Sequence, residues 1–311
     1  MNLLPCALLL LGPALLADAA EERALAFLAQ EAQRWTAENK CFSCHNNGDA
    51  ARALYAAVRR GRPLPARALD ETTRWLSRPA DWDRNPGEEA PRDLGLARVQ
   101  FATALLEAMD AGRVQERAPL TRAAELVVEH QKKDGSWRPA GEEVVGSPVS
   151  YGPFLLTGQA RRVLLRADPV RYREAIARAD RWLRQAEVKS VLDAAALLLA
   201  LEDSSDAEAE KQRRHCLELI SKAQAKDGGW GPFAGSPTEP FDTAVVLLAL
   251  AGRKKDKEVA ARIERGRAYL IAAQRKDGSW QETTRPAGAA SYAQRISTAG
   301  WAALALLATR P

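Results

Sequence analysis

The sequence is poor in the residues that usually mark metal-rich or disulfide-rich proteins. Its 311 residues include four Cys, three His and two Met, and aromatic residues make up 6%. β-branched residues are sparse beside Ala, Leu, Arg and Glu, so the composition favours helices over strands. So few cysteines exclude a disulfide scaffold, and the ordinary content of Gly and Pro excludes a collagen.

Long stretches with charge of one sign are also missing. The net charge is +5, from 45 basic and 40 acidic residues that alternate along every segment. No basic stripe with interleaved aromatic residues is present, so we expect no nucleic-acid partner. With 46% hydrophobic residues, the chain is long enough to bury a large core and is neither disordered nor a polytopic membrane protein.

The longest apolar run, residues 3–17, is broken by two prolines and a glycine and is too short to span a bilayer stably. Ala17-Asp18-Ala19 then places small residues at the two recognition positions of a signal-peptide cleavage site. We therefore expect an export signal over residues 1–19 and a periplasmic or secreted protein without a transmembrane segment. The alternative is a buried N-terminal helix.

One seven-residue pattern, Gln-x-x-Asp-Gly-Ser/Gly-Trp, occurs three times, each time at the end of an amphipathic run. The Asp-Gly pair supplies the left-handed residue that ends a helix, and the Trp can then fold back and bury its ring. The Gln amide can satisfy carbonyl groups at the helix end. We interpret the pattern as a structural clasp without chemistry, made by Gln131, Asp134 and Trp137, by Gln224, Asp227 and Trp230, and by Gln274, Asp277 and Trp280.

Weaker copies of the pattern divide the rest of the chain into helix pairs. In each pair the first helix is amphipathic and should lie outside, whereas the second is apolar nearly all round and should lie inside. We predict an all-α fold, a closed α6/α6 toroid that occupies residues 20–311 as a single domain. Its six pairs are 22–38/48–60, 66–78/93–111, 117–131/154–166, 172–185/189–202, 206–224/241–252 and 257–274/292–309.

The repeats resemble those of a known superfamily. Together with Asp242-Thr243-Ala244 and Ser297-Thr298-Ala299, which begin two inner helices, they are similar to the toroids of squalene–hopene cyclases and prenyltransferases. The resemblance is specific for residues 117–309 and weaker for residues 22–116. It implies the fold, whereas the function must be argued from the site.

The motifs of that superfamily's chemistry are missing. The protonating cyclases use an Asp-x-Asp-Asp cluster, and the nearest string here is Asp81-Trp82-Asp83-Arg84 in an irregular loop. A prenyltransferase zinc site needs three convergent ligands, and His130, His215 and Cys216 do not provide them. The motif of the thioester-bearing toroid proteins is also absent.

Asp193 and Asp242 lie at equivalent positions near the starts of two inner helices. They are either a carboxylate pair at the mouth of the toroid or acids favoured by the helix dipole, and we favour the second interpretation.

One motif does carry chemistry. Cys41-Phe42-Ser43-Cys44-His45 has the form Cys-x-x-Cys-His and resembles the attachment motif of c-type cytochromes. In that motif the two thiols add to the haem vinyl groups and the following His ligates the iron. We therefore expect a covalent haem c on Cys41 and Cys44, with His45 as the axial ligand. It lies in the first helix pair, residues 20–62, at the end of the toroid with the long loops.

Two alternatives stay open for this motif: a Cys41–Cys44 disulfide, and a zinc site that lacks a second Cys pair to complete it. The distal iron ligand is also open. His130, at the long-loop end, is the best candidate, because Met109 lies at the opposite end and His215 lies midway along an outer helix.

These observations lead to one leading interpretation and two alternatives. We expect an exported, cyclase-like toroid that carries haem for redox or sensing, with a redox or envelope partner and an apolar ligand in the toroid cavity. The first alternative is a non-catalytic scaffold for a lipid, glycan or protein, with Cys41 and Cys44 as a disulfide clip. The second is a terpenoid cyclase-like enzyme with an unrecognised acid. The sequence does not decide whether the protein is an enzyme.

Overall fold

The computed structural model describes residues 13–84, 93–141, 145–283, 285 and 291–310. Most of the predicted signal segment, residues 1–12 with Cys6, lies outside these ranges. The described residues form twelve α-helices and no strand. The helices are α1 (Pro13–Asn39), α2 (Ala51–Arg59), α3 (Asp70–Leu76), α4 (Leu94–Asp110), α5 (Ala118–Val128), α6 (Gly152–Ala167), α7 (Arg173–Gln185), α8 (Val191–Ala200), α9 (Ala207–Ala223), α10 (Pro240–Leu250), α11 (Lys257–Ala273) and α12 (Tyr292–Ala308).

The even-numbered helices form an inner ring and the odd-numbered helices surround it. Each inner helix contacts the next one, and α12 contacts α2, so the ring is closed. The inner helices are buried nearly all round, as in α10, whereas outer helices such as α9 bury one stripe. The predicted α6/α6 toroid of six helix pairs is therefore confirmed.

Two helix starts differ from the sequence prediction by four residues or more. The third helix begins at Asp70 instead of residue 66, because Arg67 has a left-handed backbone with φ of 64° that a helix cannot accommodate. The first helix begins at Pro13 and runs through residue 19, where we expect the signal to be cleaved. Within the described ranges, no helix is both long and apolar enough to cross a membrane.

The three clasps have the predicted geometry. Trp137, Trp230 and Trp280 are all at most 1% exposed. Each indole N–H donates a hydrogen bond of 2.8 Å to a carbonyl ten residues earlier, near the end of the preceding outer helix. The ring thus fills the core while its polar edge satisfies a helix-terminal carbonyl.

The Gln of each clasp joins neighbouring outer helices. Its amide N–H₂ donates to the Gly of its own clasp and to a carbonyl of the next outer helix, as from Gln224 to Arg262 at 3.0 Å. The third clasp closes the ring, because Gln274 donates to the carbonyl of Ala20 in α1 at 2.9 Å. The side chain of Arg23 returns a hydrogen bond of 2.7 Å to Gln274 Oε1.

The Gly of each clasp is required for two reasons, a positive φ and a close neighbour. Gly228 has φ of +91°, and a Cβ there would lie 2.5 Å from the carbonyl oxygen of Arg265 in the next outer helix. Gly235, in the loop that follows, also has a positive φ of +82°, but a Cβ there would meet no atom within 4 Å.

We expect Gly228→Ala to lower the free energy of unfolding by about 2–4 kcal/mol, because left-handed strain and overpacking add. Gly235→Ala is the matched control, and it should cost about 1–2 kcal/mol from backbone strain alone. Urea denaturation of both variants measures the difference. Equal losses would show that the close approach of Arg265 is unimportant.

Candidate functional site

The Cys-x-x-Cys-His motif forms a tight turn between α1 and the inner ring. Lys40, just before it, has a left-handed backbone with φ of 57°, which ends α1 and redirects the chain. Residues Cys44–Ala50 then form a π-helical segment that leads into α2. The Ser43 hydroxyl caps this segment by accepting a hydrogen bond of 3.1 Å from the His45 amide. Such local strain and irregular helix geometry often mark functional sites.

Two asparagines hold the turn in place. The Asn46 amide donates to the carbonyl of Glu31 at 3.0 Å and to the hydroxyl of Tyr292 at 2.8 Å, so it ties the turn to α1 and α12. The Asn47 amide donates to the Thr72 hydroxyl at 2.8 Å. Both asparagines are fully buried, and the turn is therefore a rigid part of the core.

The two cysteines of the turn differ in their exposure. Cys41 is buried and Cys44 is half-buried, and Phe42 between them stacks on Trp75 with ring centroids 4.4 Å apart. Burial raises the pKa of the Cys44 thiol to about 12, and the nearby Asp49 carboxylate adds to the effect. In the folded protein Cys44 is therefore a protonated and weakly reactive thiol.

His45 points into a chain of hydrogen bonds. Its Nδ1 lies 2.9 Å from Ser297 Oγ, and the same hydroxyl donates to Asp49 Oδ2 at 2.6 Å. An ionised carboxylate only accepts hydrogen bonds, so the single hydroxyl proton of Ser297 is used on Asp49. Ser297 must then accept from His45, which fixes the proton on Nδ1 and leaves the lone pair on Nε2.

Burial also keeps His45 neutral, because it lowers the pKa of the imidazole to about 4. The Nδ1 contact turns Nε2 away from Ser297. A neutral imidazole whose second nitrogen is held by a hydrogen bond is the usual form of a metal-ligating His. It is equally the form of a general base.

Asp49 is the centre of this polar cluster. Its carboxylate accepts hydrogen bonds from Ser297, from Gln100 at 3.0 Å and from the Tyr151 hydroxyl. The Arg52 guanidinium lies 3.8 Å away. Burial raises the pKa of Asp49 to about 6, although Arg52 and the three donors oppose the shift. The cluster thus joins α12, α4, the start of α6 and the π-helical segment around one carboxyl group.

Three further features characterise the cluster. The Arg52 guanidinium lies over the Trp301 ring, 4.5 Å from its centroid, in a cation–π contact. Tyr151 is 1% exposed, and its backbone has a left-handed φ of 66°, which is costly for an aromatic residue. Gly300 allows α12 to approach, because a Cβ there would lie 2.8 Å from the Asp49 carbonyl oxygen.

The structure gives His130, the candidate distal ligand, a different partner. Its Nε2 lies 2.8 Å from Arg98 Nη1, and since a guanidinium only donates, the Nε2 lone pair is engaged there. Arg98 also binds Asp83 and Glu129. His130 is therefore part of a surface ion-pair network.

The other residues considered from the sequence are also accounted for. Asp193 forms a capping box with Ser190, and Asp242 is held by a two-pronged ion pair with Arg285 at 2.9 Å. Asp193 thus caps the start of α8, whereas Asp242 is engaged by a side chain from a distant loop. His215 is exposed on α9. No group of three or more His, Cys, Asp or Glu that could hold a metal ion is found among the described residues.

The residues that surround His45 were not predicted from the sequence. The sequence does contain a signal for them. Asp49, Gln100 and Ser297 are polar residues within inner helices that are predicted to be apolar all round. Such residues have to find partners in the core, so they mark places where inner helices meet. Arg52 carries the same signal at the start of α2.

Comparison with known proteins supports the fold and leaves the activity open. Residues 189–310 match the family model of the squalene–hopene cyclase C-terminal domain. The drimenyl diphosphate synthase of Streptantibioticus cattleyicolor is 30% identical over 76 residues, which are 24% of this chain. The match spans only 14% of that synthase.

Solved structures match over nearly the whole chain. The type II terpene cyclase MstE from Scytonema aligns with a TM-score of 0.63 at 14% identity, over 94% of this chain and 98% of the cyclase. An unsaturated glucuronyl hydrolase specific for heparin aligns with a TM-score of 0.61 at 12% identity, over 94% of this chain and 96% of the hydrolase. The protein thus has the squalene–hopene cyclase-like α/α toroid, a fold that also serves unrelated chemistry.

Proposed function

We propose that this squalene–hopene cyclase-like toroid is an exported redox or sensing protein with a covalent haem c on Cys41 and Cys44. The observation that carries the proposal is the hydrogen-bond chain from Asp49 through Ser297 to His45. This chain gives the residue after the second Cys the tautomer that an axial iron ligand needs, and burial keeps the same imidazole neutral.

The donor set fits the group. Cys41 and Cys44 are three residues apart in the turn, and His45 follows directly. Cys44 and His45 are half-buried, so both reach the surface of the turn. When bound, the haem supplies one-electron chemistry or gas binding. The chain's part is to hold the His45 ring, because Asn46 and Asn47 fix its backbone and Ser297 fixes Nδ1.

The burial of the thiols bears on when haem attachment takes place relative to folding. A protonated thiol is a poor nucleophile, and the pKa of Cys44 in the folded protein is about 12. Cys41 is 5% exposed. We therefore propose that the thioether bonds form before α1 and the inner ring close around the turn. An export route delivers the chain unfolded and suits this order.

Expression with cytochrome c maturation machinery tests the proposal. We expect the mature protein to be heavier than its sequence by one haem and to give a pyridine haemochrome spectrum with a Soret band. Cys41→Ala with Cys44→Ala should abolish the added mass and the colour together. Cys216→Ala is the matched control, because Cys216 is a buried thiol outside the motif and should change neither.

His45→Ala separates ligation from attachment. It should keep part of the added mass but shift the Soret band, because the thioether bonds and the axial bond are separate links. A wild-type mass equal to that of the polypeptide less two hydrogens, with the machinery present, would contradict the proposal. The Cys pair is then a disulfide clip on a binding scaffold.

A second candidate function rests on Asp49. A buried carboxyl group with a pKa of about 6 can hold a proton, and an acid of this kind is what a cyclase-like enzyme needs. The proteins with similar sequence and structure include terpene cyclases and synthases. Incubation with polyprenyl substrates tests this candidate. A cyclic product that Asp49→Asn abolishes, in protein without haem, would replace the haem proposal by this one.

A further inference from the structure

A cavity opens at the end of the toroid opposite the Cys41–His45 turn, where the inner helices end. Its volume is about 140 Å³, and its wall includes Arg52, Trp301, Leu248 and Leu304. A second cavity of about 380 Å³ lies between α6 and α8 and shares Gln159 with the first.

Two polar atoms in the wall of the smaller cavity are buried without a hydrogen-bond or ion-pair partner among the described residues. They are the donor Arg52 Nε and the acceptor Gln159 Oε1. Arg52 is itself 4% exposed. Buried polar groups in native proteins are nearly always satisfied by protein, water or a ligand. Two unsatisfied atoms around one cavity therefore indicate that something polar occupies it.

The charge of the wall selects the sign of that occupant. Arg52, Arg59, Arg60 and Arg162 all line the cavity, against the single acid Glu107. Glu107 is shared between Arg59 at 3.4 Å and Arg162 at 3.1 Å. No carboxylate oxygen of the described residues lies within 4.0 Å of the Arg60 guanidinium, which donates to the Ala56 carbonyl at 3.3 Å.

A structural role explains some of these arginines. Helix carbonyl ends attract cations, and Arg60 contacts such a carbonyl. That role does not explain Arg52, which lies in the first turn of α2 with its guanidinium over Trp301. This guanidinium also lies 3.8 Å from the Asp49 carboxylate, but its Nε–H has no acceptor among the described residues, so an unused donor remains in the interior of the ring.

The remaining wall is apolar, with Trp301, Leu248 and Leu304. Its size is comparable to that of an engineered cavity of about 150 Å³ that binds benzene. We propose that this cavity binds a small aromatic carboxylate, with the ring against Trp301 and the leucines and the carboxylate facing Arg52 and Arg60. The sequence predicts an apolar ligand in the toroid, and the structure adds a negative charge to it.

Fluorine NMR with 4-fluorobenzoate and the neutral 4-fluorobenzyl alcohol tests this site. We expect the acid to bind saturably and at least about tenfold more tightly than the alcohol. A tenfold difference in affinity corresponds to about 1.4 kcal/mol. Ala308→Trp should block the half-buried mouth and abolish binding. Arg60→Glu should weaken binding of the acid about tenfold and leave binding of the alcohol unchanged.

Two control variants separate the site from general effects. Arg181→Glu changes charge equally on an exposed outer helix, and Ala111→Trp adds the same ring at the end of α4, outside the cavity wall. Both should bind like the wild type. The proposal is overturned if the acid and the alcohol bind with equal affinity, or if neither binds at millimolar concentration. It is also overturned if the two control variants lose binding as the two site variants do. The cavity then holds water, and the arginines serve the helix ends.

Discussion

Replacing Trp230 by Ala is expected to lower the free energy of unfolding by about 3–5 kcal/mol, as is typical of large aromatic truncations in cores. The indole is fully buried, and its N–H satisfies the Ile220 carbonyl at the end of α9. Its Cζ3 lies 2.7 Å from the position that a Cβ would take at Gly266 in α11, so the ring also fills the space between neighbouring outer helices. The substitution thus removes packing and leaves a buried carbonyl unsatisfied.

Urea denaturation followed by circular dichroism measures this loss. Phe233→Ala is the matched control, because Phe233 lies three residues further along and is 41% exposed. It should change stability by less than about 0.5 kcal/mol. A loss below about 1 kcal/mol for Trp230→Ala would mean that the clasp does not stabilise the toroid.

Asp49→Asn and His45→Gln are expected to change the pH dependence of stability in opposite directions. In the folded protein without haem, the pKa of His45 is lowered from 6.5 to about 4, so the unfolded chain binds the extra proton between these values. This contribution makes the protein less stable as the pH falls from 6.5 to 4. The pKa of Asp49 is raised from 3.8 to about 6, so there the folded protein binds the extra proton. This second contribution makes the protein less stable as the pH rises from 3.8 to 6.

The two contributions nearly cancel in the wild type, because their pH ranges overlap. In the Asp49→Asn variant only the His45 contribution remains. From pH 4 to 6.5 the free energy of unfolding of this variant should therefore rise by about 3 kcal/mol relative to that of the wild type. His45→Gln leaves the Asp49 contribution, so its stability should fall by a similar amount from pH 4 to 6.

Urea midpoints across this pH range, measured on protein expressed without maturation machinery, check both slopes. Other titrating groups are common to all three proteins, so differences between proteins isolate the pair. Parallel curves for the wild type and both variants would show that neither group is desolvated as the structure indicates.

Much of the fold could be predicted from the sequence, because periodic signals specify it. The Gly and the Trp of each clasp fit only at a helix end that is followed by a left-handed residue. The end of α9 was therefore predicted within one residue. Inner helices such as α10 were recognisable because their run of apolar residues has no polar face. The start of α3 was not predictable, because the left-handed backbone of Arg67 has no local signal.

The candidate site was predictable only in part. The Cys41–His45 motif is local, so spacing alone identifies it. Its partners come from distant segments, and Ser297 is 252 residues from His45. Which side chains meet across the ring depends on the rotation of each inner helix about its own axis. An inner helix that is apolar all round has no polar face from which that rotation could be predicted. The same limitation applies to Tyr151, which reaches Asp49 from a loop.

The ring has one junction that no peptide segment bridges, where α11 and α12 meet α1 and α2, and the hydrogen bond from Gln274 to Ala20 lies there. A toroid closed in this way has no end units, so no helix pair frays as the terminal repeats of a solenoid do. The closing contact is also intramolecular, and covalent connection of its two sides gives it a high effective concentration. If that junction opens, the two faces that it exposes match each other. Exchange of α1 between two molecules would therefore have to begin at this junction.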